Sequence, residues 1–224
     1  MGRPLRIDEP GDIHHLYGLG RARQLTFITR QDYEMFMALV RAIFADLDIE
    51  LIAYCLMGNH YHLVVRSNSG HLSVAMQRLI GRYTKYFNRA HDLNGALFCG
   101  RFRSVTVKSR RQLLILIRYV HRNPQDISWV EDLSEYEWSS LAIYLNNVMQ
   151  PKWLTPVVHP WVCKPTVSRP RRGSKKPTGL PRQGRSPMYP RNFEELFIRA
   201  MTGPEPRHER VLGPSRSLRS ATPT

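Results

Sequence analysis

Two apolar segments joined by a two-residue turn constrain the fold of this 224-residue chain more than any other feature. Residues 49–57 have the composition of a β-strand, and residues 60–65 form a second such segment. Gly58 and Asn59, which lie between them, are residues typical of tight turns. Parallel strands need a much longer connection, so the sequence predicts an antiparallel β-hairpin within a larger sheet.

The hydrophobic pattern predicts further strands at 12–19 and 102–107, and helices at 29–47, 73–89 and 109–123. Thr29 and Ser109 each have the spacing to an acid or amide three residues later that marks the start of a helix. The third helix should end at Asn123 and Pro124, because proline cannot continue a helix. The order β, α, β-β, α, β, α is compatible with an α+β fold.

The composition changes after Trp161. Ten of the 16 prolines lie in residues 164–224, interleaved with Arg, Lys, Ser and Gly. Such a segment buries too little apolar surface to offset its conformational entropy, which predicts a mostly disordered basic tail. We therefore predict a folded domain over residues 1–150, a linker over 151–163 and the tail over 164–224.

Positive charge is concentrated in two zones of a chain whose formal net charge is +15. Residues 66–122 hold 12 Lys/Arg against one acid, and the tail holds 14 against four. A polyanion such as nucleic acid is the partner that this distribution favours. The alternative is a basic surface without a specific partner.

The cysteines and the apolar segments exclude other classes of protein. Cys55, Cys99 and Cys163 have no close spacing, which argues against a disulfide framework and a Cys-rich zinc site. No stretch approaches about 18 consecutive apolar residues, so no membrane span is predicted. No signal peptide is evident after Met1, and a cytoplasmic location is expected.

His60 and His62 form the sharpest local motif. Residues i and i+2 of a strand point to the same side, so both imidazoles can bind one metal cation. The alternative is that the two histidines flank a packed Tyr61. Some metallohydrolases use H-x-H-x-D-H, but the apolar residues 63–65 follow here, which disfavours a two-metal hydrolase.

Tyr119 and Asn123 lie one turn apart on the third predicted helix and therefore on the same face. A tyrosine beside a metal and near Arg118 and Arg122 can lose its proton as it attacks a phosphate. The alternatives are a half-buried packing tyrosine and an asparagine that only ends the helix.

These residues carry a resemblance to a known family. Residues 53–65, Ala-Tyr-Cys-Leu-Met-Gly-Asn-His-Tyr-His-Leu-Val-Val, resemble the signature of the HUH single-tyrosine transposases, above all the subgroup associated with repetitive extragenic palindromes (REP). The matching segments run in the same order from about residue 3 to residue 144, and include 118–124 and 138–140. The chain departs from the family at Gly58, which replaces a proline, in the loop 18–23 and at residues 125–126.

The resemblance implies a ferredoxin-like antiparallel sheet with helices packed on one face and the histidine pair on a central strand. It implies a transposase whose catalytic domain, residues 1–150, nicks and rejoins single-stranded or hairpin DNA. Tyr119 matches the nucleophile, which forms a 5′-phosphotyrosine. His60, His62 and Asn123 match the ligands of a divalent cation, Mg²⁺ or Mn²⁺, and His121 is a candidate helper.

The cations near these motifs are the expected DNA-binding residues, namely Arg78, Arg82, Lys85, Arg89, Arg101, Arg103 and Lys108. Three alternatives stay open: a domesticated DNA-binding protein that no longer cleaves, a general RNA-binding protein, and a metal nuclease in which water is the nucleophile. The sequence is compatible with a monomer and with a homodimer.

Overall fold

The computed structural model describes residues 8–127, 130, 132–145 and 151–157. The predicted tail lies outside these residues, so the division into domain, linker and tail stays a prediction. Within the described ranges, no helix is long and apolar enough to cross a membrane.

Four strands form one antiparallel sheet in the order β2-β3-β1-β4. They are β1 (Asp12–Leu19), β2 (Ile49–Met57), β3 (His60–Ser67) and β4 (Arg103–Val107). Helix α1 (Arg30–Asp46) connects β1 to β2, and helix α2 (Leu72–Ala90) connects β3 to β4. This is the ferredoxin-like βαββαβ arrangement, and it confirms the predicted fold class. The predicted hairpin is β2 and β3.

Helices α1 and α2 pack on one face of the sheet, which we call the covered face. Tyr61 of β3 points to this face, and its ring centroid lies 5.2 Å from that of Phe36 in α1. Tyr83 of α2 contacts the same Phe36 at 5.0 Å. The covered face therefore holds an aromatic core that joins the sheet to both helices.

The opposite face, which we call the site face, is approached by a third helix, α3 (Arg110–Arg122). The Oγ atom of Ser109 accepts a hydrogen bond from the Gln112 backbone nitrogen at 3.2 Å, which caps this helix as predicted. Pro124 lies in the 3₁₀ turn that follows. The helices thus lie on both faces, with α1 and α2 on one face and α3 on the other. A short helix, α4 (Leu141–Leu145), follows.

The side chain of Asp32 ties the start of α1 to the end of α2. Its carboxylate accepts hydrogen bonds from the backbone of Thr29 at 2.7 Å and from Nε2 of His91 at 3.0 Å. Burial raises the pKa of Asp32, but these bonds and one from Ile28 outweigh it and hold the pKa below its usual value. The predicted capping position at Thr29 is therefore also an interhelical link.

Gly18 allows Tyr61 to lie against the neighbouring strand. The two residues are paired between β1 and β3. A Cβ atom at Gly18 would lie 2.7 Å from Cε1 of Tyr61, too close for any larger side chain without a shift of the ring. Glycine is therefore required here by packing against the central strand.

The outer edge of β2 is covered by later parts of the chain. The backbone nitrogen of Leu56 donates to the carbonyl of Trp138 at 2.8 Å, and that of Thr155 donates to the carbonyl of Leu51 at 2.8 Å. Residues 138–140 and 154–155 thus occupy hydrogen-bonding positions that an edge strand otherwise leaves open.

Candidate active site

The site is built where α3 crosses the site face of β3. The ring of Tyr119 lies 5.7 Å from the ring of His62 in an edge-on contact. Val120 and the other predicted apolar residues of α3 are buried against the sheet, which places Tyr119 and Asn123 beside the histidines. The structure therefore brings together four residues that the sequence singled out.

His60 is held in a defined tautomer. Its Nδ1 atom lies 2.8 Å from Oδ1 of Asn59. An amide oxygen only accepts hydrogen bonds, so Nδ1 carries the proton and Nε2 presents its lone pair. Burial lowers the pKa of His60 to about 4, so the ring is neutral at pH 7, the form that binds metals.

His62 lies on the same face of β3, with its ring centroid 5.1 Å from that of His60. Its Nδ1 atom lies 2.9 Å from Nε2 of His15, a residue of β1. Burial lowers the pKa of His62 well below its usual value, and the neighbouring His60 and His15 lower it further. This ring is therefore neutral as well.

Sequence reasoning missed His15 and its neighbour Tyr17. Tyr17 is paired with His62 between β1 and β3, and His15 lies two residues earlier on the same face. The centroid of the His15 ring lies 5.0 Å from that of Tyr17, on which it stacks, and 5.1 Å from that of His62, which it meets edge to edge. The only signal in the sequence was a histidine within a predicted strand, and nothing there indicated that β1 lies beside β3.

Asn123 completes the set of potential ligands. Its Nδ2 atom donates to the carbonyl oxygen of Tyr119 at 3.0 Å, so Oδ1 is the amide atom on the side of the histidines. The Asn123 side chain raises the pKa of both His60 and His62 against the effect of burial, because its oxygen would accept a hydrogen bond from a protonated ring. The Nδ1 atoms of both rings are engaged elsewhere, so the Nε2 atoms face this amide.

This donor set fits a divalent cation. Two imidazole nitrogens and an amide oxygen converge, and such acceptor atoms repel one another unless a positive charge lies among them. Within the described part of the chain, no three His, Cys, Asp or Glu side chains are arranged to hold a metal ion. If a cation bound the two imidazoles here, the amide oxygen of Asn123 would be the nearest candidate for a third protein ligand.

His121, the candidate helper, contacts a different part of the molecule. Its Nε2 atom lies 2.8 Å from Oγ of Ser140, and its ring contacts Tyr144 of α4 at 4.7 Å. The same Ser140 hydroxyl accepts a hydrogen bond from the backbone of Tyr54 in β2 at 2.9 Å. His121 therefore anchors α3 to β2 through Ser140.

The structure separates the seven predicted DNA-binding cations into two groups. Arg103 is paired with Tyr17 between β4 and β1, so its side chain belongs to the site face, and Arg101 and Lys108 flank the same strand. The four cations of α2 are exposed and lie beyond the covered face, on the other side of the sheet from His62. One of these four, Arg78, is bound to Asp46 at 2.9 Å.

The helix that carries Tyr119 is strongly basic. It contains four arginines and no acidic residue between its ends. Burial lowers the pKa of Arg118, and the nearby Arg122 lowers it further, because two guanidinium groups disfavour each other's charge. A bound phosphate would relieve this repulsion, so the electrostatics beside Tyr119 suit an anionic substrate.

Comparison with known proteins adds an independent finding. Residues 14–123 match the family model described as "Transposase IS200 like". The segment begins in β1 and ends at Asn123. Comparison with curated protein sequences finds no match.

Two solved structures are similar to this chain. One is a REP-associated tyrosine transposase bound to a REP hairpin, with a TM-score of 0.56 and 19% identity over 71% of this chain and 94% of that one. The other is a protein of Deinococcus radiodurans R1 assigned as a transposase, with a TM-score of 0.38 and 18% identity over 55% of this chain and 95% of that one. The first likeness shows a shared fold.

Proposed function

We propose, from the match of residues 14–123 to the family model described as "Transposase IS200 like", that this chain nicks and rejoins single-stranded DNA with Tyr119 as its nucleophile. The observation that carries the proposal is the edge-on contact of Tyr119 with His62, 5.7 Å between ring centroids. The two residues come from different elements, α3 and β3, and the fold places them together beside Asn123.

His60, His62 and Asn123 are the residues proposed to hold a divalent cation, Mg²⁺ or Mn²⁺. When bound, such a cation polarises the scissile phosphate and stabilises the charge that develops on it. The buried neutral imidazoles contribute nitrogen lone pairs, and Asn123 contributes an oxygen without adding negative charge near the phosphate.

Tyr119 supplies the covalent step. Its phenolic oxygen attacks phosphorus, the bond from phosphorus to the 3′ oxygen breaks, and the 5′ phosphate stays on the tyrosine. The phenolic proton is lost and the departing 3′ oxygen gains one. Because one phosphodiester replaces another, a second 3′-hydroxyl can reverse the step and join strands without ATP.

Single-stranded or hairpin DNA is the proposed substrate. The similar solved structure is that of a REP-associated tyrosine transposase bound to a REP hairpin, which supports a hairpin here. A tyrosine on a helix packed over a sheet reaches only an unpaired, accessible phosphate. We propose that the Arg101, Arg103 and Lys108 side chains bind phosphates near the site and that the α2 cations bind the backbone farther along.

The test is a search for a covalent protein–DNA adduct. The purified chain is incubated with end-labelled hairpin DNA and Mn²⁺ and then separated by denaturing electrophoresis. We expect a labelled protein band with the unmodified chain and none with Tyr119→Phe. Tyr17→Phe is the matched control, since its ring lies 6.1 Å from His62, almost as near as Tyr119, and it should keep the adduct.

Each other result contradicts the proposal in a distinct way. An adduct in Tyr119→Phe would assign the nucleophile to another residue. Cleavage without any adduct, unchanged in Tyr119→Phe, would indicate a hydrolytic nuclease. Binding of a broad pool of hairpins without adduct or cleavage would favour a DNA-binding protein that does not cleave, and equal binding of RNA would favour a general RNA-binding protein.

A further inference from the structure

The two histidines of β3 are supported in different ways. The Nδ1 atom of His60 faces the amide oxygen of Asn59 at 2.8 Å, a group that only accepts. The Nδ1 atom of His62 faces Nε2 of another imidazole, that of His15, at 2.9 Å. An imidazole nitrogen can donate or accept, so the tautomer of His62 depends on which of these two nitrogens carries the shared proton.

We propose that His15 is a positioning residue that accepts a hydrogen bond from Nδ1 of His62 and so leaves Nε2 of His62 with its lone pair toward Asn123. This inference rests on the proposed function, because it takes His62 to be a metal ligand. In the opposite arrangement His62 carries its proton on Nε2 and cannot bind a cation there. His15 therefore determines whether Nε2 of His62 is available to bind a metal ion.

The surroundings of His15 fix the ring in this role. It has no exposed surface, stacks on Tyr17 and meets His62 edge to edge through the 2.9 Å contact between their ring nitrogens. Its centroid also lies 6.3 Å from that of Tyr119. The His15 ring cannot turn away from His62 without disturbing the packing around it. It contacts both the proposed ligand His62 and the proposed nucleophile Tyr119.

His15 is not itself placed as a ligand. Its Nε2 atom is directed at Nδ1 of His62, on the side of that ring away from its remaining nitrogen. Among the residues that the structure describes, no three His, Cys, Asp or Glu side chains are arranged to hold a metal ion. A metal-binding imidazole commonly donates a hydrogen bond from its other ring nitrogen to a neighbouring group. Loss of such a bond typically weakens metal binding by roughly 10- to 100-fold.

The neighbouring His14 offers a matched control. It is equally buried, 1% exposed against 0% for His15, and belongs to the same strand. Its side chain points to the other face of β1, where Nδ1 lies 3.2 Å from Oγ of Ser104 and Nε2 lies 3.4 Å from Asp8. Replacing it perturbs the same strand without touching His62.

The first measurement is the dissociation constant for Mn²⁺, obtained from the electron paramagnetic resonance signal of the free ion. The full chain is compared with His15→Phe, His15→Gln, His14→Phe and His14→Gln. We expect His15→Phe to bind Mn²⁺ about 10- to 100-fold more weakly. His15→Gln should recover part of the loss, since its amide oxygen accepts a hydrogen bond, and both His14 variants should bind as the unmodified chain does.

The second measurement is nuclear magnetic resonance of chains with ¹⁵N-labelled histidine rings, loaded with Zn²⁺, a diamagnetic ion that imidazoles bind well. We expect a protected Nδ1–H proton on His62 that is lost to rapid exchange in His15→Phe and kept in His14→Phe. A general disturbance of the fold would change many resonances, and not the Nδ1–H signal of His62 alone. If His15→Phe does not fold, His15→Gln and the unmodified chain still report the tautomer.

The inference is overturned if His15→Phe binds Mn²⁺ within twofold of the unmodified chain, if the His14 variants lose as much affinity, or if His62 carries its proton on Nε2. Should the unmodified chain form the Tyr119 adduct and bind metal while His15→Phe behaves identically, only the role of His15 fails. Absence of metal binding through His62 in the unmodified chain would overturn this inference together with the proposed metal site.

Discussion

The two faces of the sheet are built by the same strands but stabilised by different interactions. On β3, Tyr61 points to the covered face and contacts Phe36 of α1, whereas His62 points to the site face and contacts His15. Both side chains are fully buried. One face buries aromatic surface, and the other buries polar atoms whose desolvation is offset by hydrogen bonds.

This difference teaches how a small domain separates stability from chemistry. Residues i and i+1 of a strand face opposite ways, so one substitution affects one face first. His14 and His15 show the same division on β1, where the former contacts Ser104 and the latter His62. Changes to the covered face should lower stability, and changes to the site face should lower activity at nearly constant stability.

The largest effect is expected from Tyr61→Ala on the covered face. It removes a fully buried ring that contacts Phe36 and Phe98, and large-to-small changes of this kind cost about 3–5 kcal/mol. Tyr119→Phe, the site-face counterpart, should change the free energy of unfolding by about 0.5 kcal/mol or less. Urea denaturation followed by circular dichroism measures both.

A loss in Tyr119→Phe comparable with that in Tyr61→Ala would break the comparison, since the site face would then contribute to stability as the covered face does. Adduct formation by a folded Tyr61→Ala chain serves as the control, because its site residues are unchanged.

A smaller effect is expected at Asp32, a carboxylate buried beside the covered face. Asp32→Asn should lower the free energy of unfolding by about 1–3 kcal/mol at pH 7, because charged hydrogen bonds from Thr29 and His91 are lost. The pKa of Asp32 in the folded chain lies below its usual value, so its contribution is complete above about pH 4 and is lost as the pH falls through the folded pKa.

Unfolding by urea at pH 7 and again near pH 3 checks the sign of this effect. The difference between Asp32→Asn and the unmodified chain should shrink at the lower pH. A difference that stays constant or grows would show that the carboxylate charge is not what stabilises the link between α1 and α2.

The smallest effects concern single surface cations. Arg103→Ala and Arg82→Ala should each reduce the slope of log K for hairpin binding against log salt by about 1, because each removes one phosphate contact. Arg78→Ala should change it less, since Asp46 already pairs with that side chain at 2.9 Å. Filter binding over a range of salt concentrations measures the slopes. If Arg103→Ala changes the slope and Arg82→Ala does not, the DNA contacts only the site face.

The sequence was sufficient for the elements and for four residues of the site. Strand β1 coincides with the predicted span, and the starts of α1 and α3 follow from Thr29 and Ser109, because capping and periodicity are local properties of the chain. His60 and His62 share a face for the same local reason. That Tyr119 and Asn123 lie beside them was implied by the family resemblance.

What the sequence could not provide depends on which strands are neighbours. His15 contacts His62 only because β1 pairs with β3 in a particular register, which no local pattern specifies. The α2 cations are exposed, as the helical pattern predicted. The pattern could not predict on which side of the sheet they lie, because that depends on how α2 packs. His121 looked like a helper because it lies between Tyr119 and Asn123, yet its partners come from residues 140 and 144.

The covered edge of β2 has a consequence for assembly. With Leu56 bonded to Trp138 and Thr155 bonded to Leu51, strand addition at this edge would require these segments to detach first. A second copy therefore cannot extend the sheet past β2 while these segments stay bonded. The other edge of the described sheet is β4, a five-residue strand flanked by Arg101 and Lys108. Like charges facing each other there would oppose such a junction until an anion neutralised them.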